Sequence, residues 1–212
     1  MSEHTPRQVE SIRQRTRRVV TSELLDRAQD LFAEYGYEAV TIDQIAASAG
    51  MSKRTFFRYF ASKDALVLGK YDRQGQQFAA AIAARPPDEP VWVSLRRMFD
   101  GVVEYISDPE LAKRVAEMDR VISASETLRA GQLERLQRGQ NLVVEQIEKR
   151  SNGVITGLSA TALVAAAFAA LAAAHAHAQA HGVPFDTALD TAMFAVSHAG
   201  DSVRTVSEPE GE

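Results

Sequence analysis

The spacing of apolar residues is the feature that most constrains the fold of this chain. Apolar residues recur every three or four positions along nearly the whole sequence, and no stretch alternates apolar and polar residues as a half-buried strand would. The clearest interruption is Arg85-Pro86-Pro87-Asp88-Glu89-Pro90. The pattern predicts an all-α protein of about nine helices. They span residues 17–35, 42–49, 53–60, 63–83, 91–106, a helix opened by Asp108-Pro109, and residues 125–150, 156–181 and 185–203.

Composition and length narrow the class of protein. The chain has 212 residues, 45% of them hydrophobic, so it can bury a core, and it has no cysteine to form a disulfide or a thiolate site. Its first twenty residues are polar and basic rather than an apolar signal segment. Residues Val154–His181 lack Asp, Glu, Lys and Arg, but Thr, Ser, His and Gln dilute the run and no basic cluster flanks it. We therefore expect a cytoplasmic protein that does not enter a membrane.

Charge is distributed unequally along the chain. The overall net charge is −4. Residues 1–73 nevertheless hold 12 Lys and Arg against 10 Asp and Glu, whereas the remainder holds 12 against 18. This asymmetry indicates two regions with different tasks.

Two short predicted helices in the basic half have the outline of a helix-turn-helix. They are joined by Ala49-Gly50-Met51, and Thr41 with Gln44 forms a capping-box pattern at the start of the first. Residues 51–63 carry four positive charges and no acid, with Phe56 and Phe60 placed to pack inward beside Met51. Aromatic side chains left outside beside arginines favour a contact surface. Composition alone also allows an ordinary amphipathic helix with a solvated basic side.

The spacing of a longer block resembles the DNA-binding domain of the TetR/AcrR family over about residues 18–78. The resemblance rests on Tyr35-Gly36-Tyr37, Thr41, Ile45-Ala46, Ala49-Gly50-Met51-Ser52, Thr55-Phe56-Phe57-Arg58-Tyr59-Phe60 and Ser62-Lys63-Asp64-Ala65-Leu66. It implies a basic arm at 1–17, a DNA-binding domain at 18–78 with its motif at 41–60, a ligand-binding and dimerisation domain at 79–205, and a polar tail at 206–212. More weakly, Asp108-Pro109-Glu110-Leu111 and the alanine-rich helix resemble mycofactocin-type regulators.

The resemblance implies a recognition helix within residues 53–59 and phosphate contacts around it. Arg54 is favoured over Arg58 as the guanine-reading side chain. Many family members have Tyr or Trp at the position of Phe57. Phenylalanine cannot donate a hydrogen bond, so the phosphate contact that the family makes at this position is in question here. Arg17 and Arg18 could enter an adjacent minor groove. The full set of expected DNA-binding residues is Arg17, Arg18, Thr41, Gln44, Ser52, Lys53, Arg54, Thr55, Phe57, Arg58, Tyr59 and Lys63.

The last two predicted helices carry the expected dimer interface. The helix at 156–181 is small on several faces, which permits close helix packing, and the family pairs these helices with their twins in a four-helix bundle. Two-fold symmetry would give a near-palindromic DNA operator. The residues expected at the interface are Leu163, Ala167, Ala170, Ala174, Leu189, Met193 and Val196.

Aromatic and methionine side chains of the acidic part could line a pocket for a small-molecule inducer that is bulky and apolar or of acyl type. In the family, such a ligand releases a repressor from DNA by shifting the conformational population. No protein cofactor is expected. The residues expected at the pocket are Trp92, Met98, Phe99, Tyr105, Met118, Phe168 and His175.

Other classes fit the sequence less well. His177 and His181 stand four residues apart, but no carboxylate lies at ligand spacing nearby, so no metal site is predicted. Ser159, His175 and Asp186 form a triad only by assumption, and no nucleophile elbow, phosphate loop or paired-carboxylate motif is present. An interaction or small-molecule-binding module without DNA binding would leave the basic residues 53–63 idle. The sequence thus favours a dimeric, ligand-released repressor that is not an enzyme.

Overall fold

The computed structural model describes residues 11–198, except for the side chains of Arg13, Gln14 and Arg18. Within this range the chain is all-helical, with ten helices and no strand. Their bounds are α1 Ile12–Tyr35, α2 Ile42–Ser48, α3 Lys53–Tyr59, α4 Lys63–Ala83, α5 Val91–Arg97, α6 Asp100–Ile106, α7 Pro109–Ala124, α8 Glu126–Arg150, α9 Gly157–His181 and α10 Phe185–Ser197.

The helix bounds differ from the sequence expectation at α1, at α5 and α6, and at α10, which ends at Ser197 and not at residue 203. α1 begins at Ile12, so residues 12–16 of the expected arm are helical, and residues 1–10 lie outside the described range. The single helix expected over 91–106 is divided at Met98 and Phe99, where the Phe99 amide donates to the Arg96 carbonyl at 3.2 Å. Consecutive residues of a regular helix point about 100° apart. The tight turn lets both side chains enter the core, where Met98 and Phe99 are buried.

The first of two compact units comprises residues 11–70 and 117–132. Its core is apolar, as the helical spacing requires, and includes side chains from the end of α7 and the start of α8. This unit therefore departs from the expected domain limits: it takes in residues 117–132, and it ends within α4 after Lys70 rather than at residue 78. Its fully buried side chains include Leu24, Ile45, Phe56, Leu68, Ile122 and Leu128.

Polar contacts join the 117–132 segment to the rest of the first unit. Gln29 Nε2 donates to Glu117 Oε2 at 3.2 Å. Ser125 Oγ donates to Glu38 Oε1 at 2.7 Å and also accepts from the Leu128 amide at 3.2 Å, so it caps α8 while holding the turn after α1. Burial lowers the pKa of Lys70, and the negative charge of Asp119 opposes this effect.

The second unit comprises residues 71–116 and 133–198. Its core contains the rings of Phe78, Phe99 and Phe168, which pack edge to face with centroids 5.4–5.7 Å apart. α4 and α8 approach so closely that a Cβ at Gly75 would lie 2.7 Å from the Cα of Gly139. Close packing of these two helices thus depends on glycine at both positions.

Ion pairs and one polar cluster surround the apolar core of the second unit. Arg135 and Arg138 both bind the carboxylate of Asp72, at 3.2 and 3.1 Å. In the segment before α5, Glu89 accepts from Arg85 Nε at 2.7 Å and from Ser94 Oγ at 2.6 Å. These bonds lower the pKa of Glu89 to about 2.

α9 is long and apolar enough to cross a membrane by length and composition, and within the described residues it is the only such helix. A core helix of a soluble protein passes the same test. One face of α9 is indeed buried in the second unit, through Ala160, Val164, Ala167 and Ala174.

Candidate nucleic-acid interface

The helix-turn-helix begins with a reciprocal cap. Thr41 is extended at φ −97° and accepts from the Gln44 amide at 3.3 Å, while the Thr41 amide donates to Gln44 Oε1 at 2.8 Å. The predicted capping box is confirmed. Both side chains are exposed, so the pair that starts α2 lies on the surface where a phosphate contact was expected.

The turn between α2 and α3 is a Schellman motif. Gly50 has a φ of +66°, its amide donates to Ala47 O at 3.0 Å, and the Met51 amide donates to Ala46 O at 2.9 Å. Ser52 then caps α3 by accepting from the Thr55 amide at 3.2 Å. These hydrogen bonds pair backbone groups at the end of α2 and at the start of α3, and they determine the residue at which α3 begins.

α3 divides its aromatic residues between core and solvent. Phe56 and Phe60 are buried, with ring centroids 5.6 Å apart. Phe57 is 47% exposed and contacts Phe56 edge to face. An apolar ring left this open beside cationic side chains is available to a binding partner.

The cationic side chains of α3 differ in their present partners. Lys53 pairs with Asp43 at 2.9 Å, and Arg58 lies 5.3 Å from the centroid of the Tyr59 ring. Arg54 is exposed and has no hydrogen-bond or ion-pair partner among the described residues. Its planar fork of N–H donors is therefore unoccupied.

Three further residues were expected to contact DNA. Two of them form hydrogen bonds within the protein, and the side chain of the third lies outside the described residues. Arg17 Nη2 donates to the Tyr59 carbonyl at 3.4 Å, which links α1 to the last turn of α3. The side chain of Arg18 lies outside the described part of the chain. Lys63 is half-buried and donates to the carbonyls of Tyr37 and Val40 at 2.6 and 2.8 Å. Sequence reasoning missed this internal role, because nothing in the local sequence indicates which carbonyls converge on the ammonium.

Comparison with known proteins relates the helix-turn-helix segment to a family. Residues 24–69 match the model of the bacterial regulatory proteins of the TetR family. The segment that contains the helix-turn-helix is therefore similar to TetR-family regulatory proteins. The expectation drawn from the sequence motifs is thus confirmed.

TetR-family relatives are similar over part of their length. The HTH-type transcriptional regulator TcmR of Streptomyces glaucescens is 36% identical over 100 residues, which cover 47% of this chain and 44% of TcmR. The mycofactocin biosynthesis transcriptional regulator MftR of Mycobacterium tuberculosis is 42% identical over 57 residues, 27% of this chain and 29% of MftR. The chain thus spans less than half the length of either relative. Both are named as regulators, not enzymes, and the narrower mycofactocin-type assignment stays a prediction.

Solved TetR-family structures share the fold of most of the chain. The fatty acid degradation regulator FadR of Bacillus halodurans superposes with a TM-score of 0.56 at 17% identity, covering 84% of this chain and 94% of that one. FadR of Thermus thermophilus, solved with lauroyl-CoA, gives a TM-score of 0.51 at 17% identity and covers 84% and 93%. At these identities the likeness shows the fold alone.

The structure brings four of the seven expected pocket residues, Trp92, Met98, Phe99 and Phe168, into one core cluster of the second unit. Met98 and Phe99 are buried in the core of the second unit, and Trp92 donates from Nε1 to Met193 O at 3.2 Å. Met118 instead is buried in the first unit. Of the remaining three, Tyr105 is exposed, Phe168 packs on Phe78 and Phe99, and half-buried His175 bonds Gln179 at 2.8 Å.

The structure places most of the expected dimer residues on the buried side of their helices. Ala167, Ala170, Ala174, Leu189 and Met193 are buried within the second unit. Leu163 packs partly buried against the same core, and Val196 alone of the set is exposed. The exposed side of α9 includes Leu158, Ala162, Ala165, Ala169, Ala172 and Ala176.

The histidines of α9 do not form a metal centre with other ligands. The rings of His177 and His181 lie with centroids 4.3 Å apart. Among residues 11–198, no group of three or more His, Cys, Asp or Glu side chains is placed to hold a metal ion.

Proposed function

We propose that this protein is a transcriptional repressor that binds a near-palindromic DNA operator as a homodimer and is released by a small molecule. The observation that carries the proposal is the exposed face of α3. It presents Arg54, Arg58 and Phe57 in a TetR-family domain, and residues 51–63 contain no acid. In a chain with a net charge of −4, this concentration of cations matches a polyanionic partner.

In this proposal Arg54 reads a base and the surrounding groups bind phosphates. The Arg54 guanidinium is exposed without a partner among the described residues, so it can form a bidentate pair with guanine at no cost in protein contacts. Tyr59, Lys53 and Thr41 would contact the backbone on either side of the major groove.

The same proposal places the dimer interface on the exposed alanine face of α9. This face has no charged residue from Leu158 to Ala176, and Phe194 of α10 is 63% exposed. Alanine lets helices approach closely, and burying this face in a second copy removes apolar surface from water. A two-fold dimer would present two α3 helices to two operator half-sites.

We place the ligand site in the second unit. The Thermus thermophilus FadR structure contains lauroyl-CoA, and the repressor SmeT of Stenotrophomonas maltophilia has a structure with triclosan. By analogy we propose a bulky apolar or acyl-type inducer here. Release would require the ligand to bind the DNA-incompetent conformation more tightly than the competent one. The protein would act in the bacterial cytoplasm.

Capture of sheared genomic DNA on the purified protein, followed by sequencing at two salt concentrations, tests the proposal. A near-palindromic site that persists at the higher salt supports a specific regulator. If binding is diffuse at low salt and absent at the higher salt, even after ligand is stripped by denaturation and refolding, the proposal is wrong.

A pair of arginine variants then tests the role of α3. Arg54→Ala should lower the preference for the captured site over random DNA by about 1–3 kcal/mol. Arg129→Ala, an exposed arginine of α8, removes the same charge and should leave that preference unchanged. Equal losses of preference in the two variants would contradict base reading by Arg54.

A further inference from the structure

Lys63 occupies a position where a cation is unfavourable for the helix itself. It is the first residue of α4, and the positive end of a helix dipole repels an ammonium group there. The side chain turns to the carbonyls of Tyr37 and Val40 at 2.6 and 2.8 Å. Its Nζ also lies 4.1 Å from the centroid of the Tyr37 ring. Two of the three ammonium protons are therefore committed within the protein.

The Tyr37 hydroxyl closes this arrangement by donating to Asp64, the second residue of α4. We call these contacts of Lys63, Tyr37, Val40 and Asp64 the clasp. Tyr37 is only 5% exposed, so it cannot reach a phosphate. The clasp is an internal structure of the first unit.

The clasp joins the two chain segments that flank the helix-turn-helix. One is the turn after α1, which starts at Gly36 with a φ of +80° and ends at Thr41, the cap of α2. The other is the start of α4, which follows α3 after three residues. A contact between entry and exit fixes the placement of α2 and α3, because both ends of the motif are held at one point.

We propose that Lys63 is a positioning residue for DNA binding and not a phosphate contact. Its ammonium holds the Tyr37 and Val40 carbonyls, and through them the α2–α3 pair, in the geometry that meets the major groove. This inference rests on the proposed function. It departs from the sequence expectation, which gave Lys63 a direct contact with phosphate.

Three variants separate positioning from direct contact. Lys63→Met removes the ammonium and keeps the length of the side chain, whereas Tyr37→Phe opens the clasp and leaves every cation in place. Lys53→Met is the control for a lysine that is exposed on α3 and paired only with Asp43. For each variant we would measure affinity for the captured genomic site and a random duplex across a salt series at 20 °C, together with the Tm.

Positioning predicts a weaker affinity with an unchanged salt dependence. Lys63→Met should bind the captured site about tenfold more weakly, Tyr37→Phe about threefold, and both should keep the wild-type slope of log affinity against log salt. Both should lower the Tm by a few degrees, about 4 °C for Lys63→Met. Lys53→Met should instead reduce the slope by about 0.9 per protomer bound, because one phosphate contact is lost.

Two outcomes would overturn the inference. A slope reduced by about 0.9 per protomer in Lys63→Met, with an unchanged Tm, makes Lys63 a phosphate contact. A lowered Tm with unchanged affinity makes the clasp a source of stability only. Failure of the wild type to bind either duplex contradicts the proposed function itself and is seen before any variant is compared.

Discussion

α3 and α9 each leave a helix face open to solvent, and the two faces have opposite chemistry. The open face of α3 carries Lys53, Arg54 and Arg58 with one exposed aromatic ring. The open face of α9 carries mainly alanines and no charged residue from Leu158, which is 85% exposed, to Ala176. The first face suits a charged, hydrated partner, and the second suits a dry contact with another helix.

The orientation of the two helices also differs in how well it can be predicted from the sequence. α3 contains both large apolar residues and charged residues. Only one orientation of the helix therefore buries Phe56 and exposes Arg54. α9 has alanine on every side, and its periodicity gives no direction. For this reason the sequence did not show that the stripe expected to contact a second copy is buried within the protomer.

The largest expected effect separates the two sides of α9. Ala167 is fully buried and Ala169 is exposed. Ala167→Arg should destabilise the fold by more than about 4 kcal/mol, because it places an unpaired charge in the core. Ala169→Arg should keep the helical circular dichroism spectrum and convert the proposed homodimer to a monomer in sedimentation.

The same experiment can contradict the proposed seam. An Ala169→Arg protein that sediments as the wild type does would exclude the open α9 face from the interface. Ser159→Arg adds the same charge at another exposed position, about 80° around the helix from Ala169, and serves as a control for added charge on this helix.

Two adjacent phenylalanines sharpen the comparison within α3. Phe56→Ala should lower the free energy of unfolding by about 3–5 kcal/mol, since Phe56 is fully buried. Phe57→Ala should leave thermal stability nearly unchanged and reduce DNA affinity about fivefold, the value of burying about 40 Å² of apolar surface. Denaturant titration and DNA titration of both proteins check this; similar unfolding free energies would refute the division of the helix into faces.

Glycine substitutions measure how closely the second unit is packed. Gly75→Ala should cost about 1–3 kcal/mol, because its Cβ would lie 2.7 Å from the backbone of Gly139. Gly101→Ala, in α6, meets no atom within 4 Å and should be stabilising by about 0.5–1 kcal/mol. Thermal unfolding of the two variants should therefore move in opposite directions.

The smallest expected effect concerns pH. The bonds from Arg85 and Ser94 hold the pKa of Glu89 at about 2, below its ordinary value of 4.5. The stabilisation this gives is present above pH 4.5 and is lost as the pH falls towards 2. The Tm of Glu89→Gln should thus lie below that of wild type at pH 7 and approach it at pH 3. If the Tm difference between the two proteins stayed constant from pH 7 to pH 3, the charge of Glu89 would not contribute to stability.

Local sequence signals predicted much of this structure. Thr41 and Gln44 form the expected cap, and Asp108 caps α7 through the Glu110 and Leu111 amides. Such signals succeed because capping partners lie within a few residues of one another. The bounds of α4, Lys63–Ala83, match the prediction for the same reason.

Contacts between distant segments could not be predicted. The approach of Gly75 to Gly139, the hydrogen bond from Ser125 to Glu38, and the two carbonyls that bind Lys63 all depend on how helices cross. A single sequence records which residues are small or polar but not which of them meet. For the same reason the sequence did not indicate that Met118 packs in a different unit from Phe99.

The composition of the first unit has a consequence for how the protein is made. Its core needs Ile122 and Leu128 as well as Leu24 and Phe56. A ribosome therefore has to synthesise the chain past residue 132 before the first unit can complete its own interior. A fragment cut after residue 78 is expected to expose unpaired apolar surface and to be recognised by chaperones and proteases.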